Sequence, residues 1–137
     1  EGLTLRGRDD LRRHFLTAAA IRAASNTGVA VSIGEFKELY DLTRQKSGFD
    51  FTDVVANNSG IYFSDTLMAT PRSGWPALIA RMEREEDVIA SIEGIPGLMA
   101  RDAFDTRYGD LDSPEYRAML ERIDARIAAL PLHAGGS

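Results

Sequence analysis

Residues 47–68 read SGFDFTDVVANNSGIYFSDTLM, and no other stretch constrains the fold as tightly. From about Thr52 the periodicity is helical. Asp53, Asn57, Gly60 and Ser64 recur at i, i+4, i+7 and i+11, a narrow stripe on one helix face. Ala56, Phe63 and Leu67 flank that stripe on one side, and Val54, Ile61 and Met68 on the other. Asn58, Tyr62, Asp65 and Thr66 fall on the far side. Polar and small groups therefore run down the centre of the face that the apolar flanks should bury. A carboxylate and an amide in that position are costly unless hydrogen-bonded, so the neighbouring helices must supply partners.

Two helices before this one offer such partners. The first is expected to start at Asp9 or Asp10, which can accept from the free amides of the opening turn, and to run to about Ser25. Leu11, His14, Phe15, Ala18 and Ile21 line one face, so His14 stands in an apolar stripe. Residues 25–28, Ser-Asn-Thr-Gly, make a break of hairpin length. A second helix over about 29–45 has apolar residues on two sides, with Glu38 and Asp41 among them, as expected of a helix sandwiched between neighbours. Gly34 lowers its helix propensity by about 1 kcal/mol, which a close helix approach beside Glu38 would explain. Lys46-Ser47-Gly48 ends it, and Asp50 or Thr52 caps the third helix.

After Pro71, Gly74 and Pro76 the chain changes character. A fourth helix is expected over about 76–90, then a loop over 92–98. A short helix over 100–108 is stopped by Gly109. Ser113-Pro114 is a helix start, Ser as cap and Pro in the first turn. Tyr116, Leu120, Ile123, Ile127 and Leu130 form the stripe of this last helix, which Pro131 ends, and residues 132–137 are expected to be a disordered tail. No segment alternates apolar and polar residues convincingly, and no hairpin dipeptide or repeat occurs. The expected fold is all-α. At 137 residues, 44% hydrophobic, the chain suits a single compact helical domain. It comprises a three-helix polar-cored unit over 8–69 and a C-terminal helical arm over 70–131.

A net charge of −5 argues against nucleic acid as a partner, because phosphate contacts need concentrated Lys and Arg. The one basic cluster, residues 6–13, also carries Asp9 and Asp10 and reads as a solvated helix start. With no cysteine there is no disulfide framework, thiolate metal site or thiol nucleophile. No run approaches the roughly 20 apolar residues of a membrane span. HExxH, GxSxG, P-loop and GxGxxG motifs are all missing, so no cofactor is implied. A protein partner or a homo-oligomer is the remaining expectation.

If the first three helices pack together, His14, Glu38, Asp53 and Asn57 meet, with Asp41 near them. One imidazole and several carboxylates suit general acid/base work or a hydrated divalent ion. The same set also suits an interhelical hydrogen-bond network that fixes register. Asp110, Asp112 and Glu115 lack the spacing and central glycine of a calcium loop and read as a turn and helix cap. Trp75, between Gly74 and Pro76, reads as a lid over the core.

The pattern in RGRDDLRRHFLTAA, GEFKELYD and SGFDFTDVVANNSG resembles a family of small bacterial envelope proteins and lipoproteins of uncharacterised function. It matches at Asp10, His14, Phe15, Gly34, Lys37, Glu38, Asp41, Asp53, Asn57 and Gly60. More distantly it is similar to VanZ-like proteins, which order His, acidic and Asp/Asn positions comparably within membrane helices. The resemblance implies a periplasmic or envelope-associated protein and brings no established activity. The expected role is a structural or interaction one in which the polar cluster is buried. The alternative is a hydrolase acting on peptidoglycan or lipid, with His14 or Glu38 as base and Asp53 as its orienting or metal-binding partner.

Overall fold

The computed structural model describes residues 8–24 and 49–134. Its elements are α1 (Asp9–Ala24), β1 (Phe49–Asp50), α2 (Phe51–Ala69), a 3-10 turn (Arg72–Gly74), α3 (Trp75–Ala80) and a second 3-10 turn (Glu85–Asp87). Then come β2 (Leu98–Met99), α4 (Arg101–Arg107), α5 (Pro114–Ala128) and α6 (Pro131–Ala134). Among the described residues the fold is all-α, apart from one antiparallel pair with Phe49 opposite Met99 and Asp50 opposite Leu98.

The helix ends follow from local chemistry. The Asp50 carboxylate accepts from the Thr52 amide at 2.9 Å and opens α2. Ser113 Oγ accepts from the Tyr116 amide at 3.1 Å, with Pro114 in the first turn of α5. Behind α4, Gly109 takes a φ of 77°, which a side chain would resist, and its amide reaches back to the Asp105 carbonyl at 3.1 Å.

Helix α2 is the centre of the molecule. One side lies along α1, where Leu11, Phe15 and Ala18 are buried together with Val54, Ala56, Gly60 and Ile61 of α2. The other side faces the C-terminal elements. There Phe49 and Phe51 enter a cluster of rings with Phe104, Tyr108 and Tyr116, with centroids 4.7 Å apart for Phe49 and Phe104 and 4.9 Å for Phe51 and Tyr108. Such pairs add about 1 kcal/mol each to the burial of their area. Ile123 and Ile127 of α5 are fully buried and belong to the same core.

Several expectations need correction. The helix foreseen over 76–90 ends at Ala80. Asp87 is buried, and its Oδ2 accepts the amides of Glu83 and Arg84 at 3.1 and 3.0 Å, folding this stretch into a turn. Pro131 does not simply end the last helix. Helix α5 stops at Ala128, and Pro131 opens α6, in which Leu132 is fully buried; the expected disordered tail is therefore ordered through residue 134. On the far side of α2, which carries Asn58, Tyr62, Asp65 and Thr66, Val55 and Ser59 are also buried. The helix expected over 29–45, with Gly34, Lys37, Glu38 and Asp41, lies outside the described residues.

Candidate functional site

The polar stripe of α2 packs against α1 at each of its four positions. His14, on α1, bridges the first two. Its Nε2 lies 3.2 Å from Asp53 Oδ2, and its Nδ1 lies 3.0 Å from Asn57 Oδ1. The four-residue spacing of Asp53 and Asn57 puts them one helical turn apart, which is the reach of one imidazole. One turn further on, Gly60 lets the backbones touch: a Cβ there would run into the Phe15 carbonyl, with the Ala19 nitrogen 3.2 Å away. At the end of the stripe, Ser64 Oγ donates to the Ala19 carbonyl at 2.7 Å. Beside it, Arg22 and Asp65 form an ion pair between the same two helices.

Nε2 of His14 faces a carboxylate and so carries the hydrogen of that bond. The Asn57 amide faces Nδ1 and can meet either state of the ring. It accepts from an imidazolium, or, turned by half a revolution, donates to a neutral imidazole. Both partners leave the imidazole held in one orientation, with His14 and Asp53 side chains only 16% and 13% exposed.

Arg8 completes the cluster, and sequence reasoning had not singled it out. Its Nη1 donates to Thr52 Oγ1 at 3.0 Å and its Nε to Asp10 Oδ1 at 3.0 Å, while Nη2 lies 3.5 Å from Asp50 Oδ2 and 3.9 Å from Asp53 Oδ1. One guanidinium thus faces three carboxylates, from α1, β1 and α2. The hydrogen bond from Arg8 holds the Asp10 carboxyl below the usual carboxylate range against the opposing effect of burial, and the same bond raises the Arg8 pKa. Asp53 Oδ1 is buried and, among the described residues, makes no hydrogen bond; its compensation is the Arg8 charge at 3.9 Å. The signal for Arg8 was weak because an arginine ahead of a helix has no periodicity to mark it.

Of the four residues singled out from sequence, the structure brings together His14, Asp53 and Asn57, while Glu38 lies outside the described residues. Among the described residues, no three His, Asp or Glu side chains converge in a way that would hold a metal ion. The other motifs resolve as local structure. Asp110 Oδ1 accepts from the Asp112 amide at 2.8 Å ahead of the Ser113 cap. Trp75 donates from Nε1 to the Thr70 carbonyl at 3.0 Å, with Arg72 over its ring. Among the described residues, no helix is long and apolar enough to cross a membrane.

A second polar seam, between α2 and the C-terminal helices, had no signal in the buried-face argument. Asp124 of α5 accepts from Asn58, and burial pushes its carboxyl up despite that bond. Tyr62 is pushed up too, by burial and then by Asp124 and Asp65. His133 of α6 meets Thr66, its Nδ1 2.6 Å from the hydroxyl oxygen. No protein-family model, curated protein or solved structure matches the chain.

Proposed function

We propose that this chain is a non-catalytic helical module of the bacterial cell envelope with a structural or interaction role, in which His14, Asp53 and Asn57 lock α1 and α2 in register. The observation that carries the reading is the bridge itself. Both nitrogens of His14 are engaged by side chains one turn apart on α2, at 3.2 and 3.0 Å. A general base needs a ring nitrogen within reach of a substrate or water proton, and here both ring nitrogens point at side chains of the same chain. The envelope setting rests on the resemblance of the Asp10/His14, Gly34/Asp41 and Asp53/Gly60 pattern.

One observation favours a second reading, an acid/base or metal-dependent hydrolase acting on an envelope substrate such as peptidoglycan or lipid. Among the described residues, Asp53 Oδ1 is a buried carboxylate oxygen with no hydrogen bond, near a histidine and an arginine. Calorimetric titration of the metal-free protein with zinc, manganese and calcium separates the two. The structural reading predicts no binding heat from any of the three. Saturable heat that disappears in both Asp53→Asn and Glu38→Gln would favour the hydrolase.

A further inference from the structure

We propose that His133 makes the docking of α6 on α2 acid-sensitive: the neutral imidazole seats the turn, and protonation releases it and uncovers Leu132. Helix α6 is a single turn, held by the fully buried Leu132 and by the His133 ring. That ring stands edge-on to Tyr62, with centroids 5.7 Å apart, and its Nδ1 meets Thr66 Oγ1 at 2.6 Å. Its Nε2 is buried and, among the described residues, has no hydrogen-bond partner. A neutral ring can leave that nitrogen as a bare lone pair, at the modest cost of one unmade bond. An imidazolium must bury a charged N–H there with no acceptor, a much larger cost.

The groups around the ring do not offset that cost. From α2, Asp65 draws the His133 pKa upward, but its carboxylate is paired with Arg22 of α1. Tyr62, pushed up by burial, stays neutral, and Asp124 of α5 acts on Tyr62. Burial outweighs Asp65, so the docked His133 lies below the ordinary histidine value of 6.5. For a base whose pKa is lowered on docking, the contribution to docking is complete above the undocked value. It declines as the pH falls from there toward the docked value, by up to about tenfold in the docking equilibrium per pH unit.

The test is an NMR titration of the full chain from about pH 7.5 to 5. The His133 ring signals are followed together with the backbone order of residues 131–134, and far-UV circular dichroism reports whether the remaining helices stay folded. Leu132→Ala, which weakens docking at every pH, calibrates the signal of an undocked turn. The expected result is that residues 131–134 lose order over the range in which His133 titrates, with a midpoint below that of an exposed histidine. In His133→Phe, and in His133→Gln should the larger ring disturb packing, the turn keeps its order across the range. Retained order in the native chain after His133 is protonated would overturn the proposal, as would loss at the same midpoint in both variants.

Discussion

At Gly60 two effects of opposite sign meet. Alanine is intrinsically better in a helix by about 1 kcal/mol. Yet a Cβ at this position would strike the Phe15 carbonyl and press on the Ala19 nitrogen, both backbone atoms of α1 that cannot swing aside. The steric term is the larger, because relieving it requires the helices to separate along their whole contact. Gly60→Ala is expected to lower stability by about 1–3 kcal/mol in urea denaturation, the range for overpacking a close interface. A gain in stability would mean that α1 and α2 do not approach this closely. At the residue scale the placement of the stripe was legible: the spacing of Asp53, Asn57, Gly60 and Ser64 put them on one face, and each meets α1, while Glu38 lies outside the described residues. Arg8 was not, because the contacts that define it come from Asp50, Thr52 and Asp53, more than forty positions away. A pairing of that kind has no local pattern.

Helix α5 carries both a strong and a weak point of the packing between elements. Ile123 is fully buried in the main core, so Ile123→Ala should cost about 2–5 kcal/mol in thermal or chemical unfolding. No loss would show that this face is free in solution. Next to it, Asp124 is a carboxyl whose pKa is raised by burial. In the folded state its charged form is therefore disfavoured, so at neutral pH the residue costs stability, and that cost shrinks as acid protonates it. Asp124→Asn should accordingly melt higher than the native chain near pH 7, with the advantage narrowing as the pH falls through the carboxylate range. Melts at the two pH values check the sign. Among elements, α1, α2, α4 and α5 were legible from caps and stripes. The 76–90 helix was misjudged because Leu78 and Ile89 share helical spacing yet reach the core from separate pieces, α3 and the chain after the second 3-10 turn. What divides them is the buried Asp87 carboxylate accepting two amides, an arrangement that an acidic run on a solvated helix face does not distinguish in sequence. The order at α6 was missed for a similar reason: Leu132 is buried by a surface that only the assembled helices create.

For the whole molecule, the central fact is that α2 is covered on two sides, by α1 through the His14 bridge and by the C-terminal helices through aromatic rings and the Asn58–Thr66 seam. A chain of net charge −5 gathers the carboxylates of Asp10, Asp50 and Asp53 around the Arg8 guanidinium, where the backbone of three elements meets. Such a cluster is tolerated only while its partners remain in place, and that makes it a means of fixing one helix register. The claim that His14 and Asp53 act as one structural unit is tested most directly by a double-mutant cycle in chemical denaturation with His14→Leu, Asp53→Leu and the pair. Each single change strands a polar partner and is predicted to cost about 3 kcal/mol, while the pair removes both and packs apolar groups in their place. If the two side chains act together, the loss for the pair is smaller than the sum of the singles by at least about 1 kcal/mol; losses that add to within about 0.5 kcal/mol would show that they act independently.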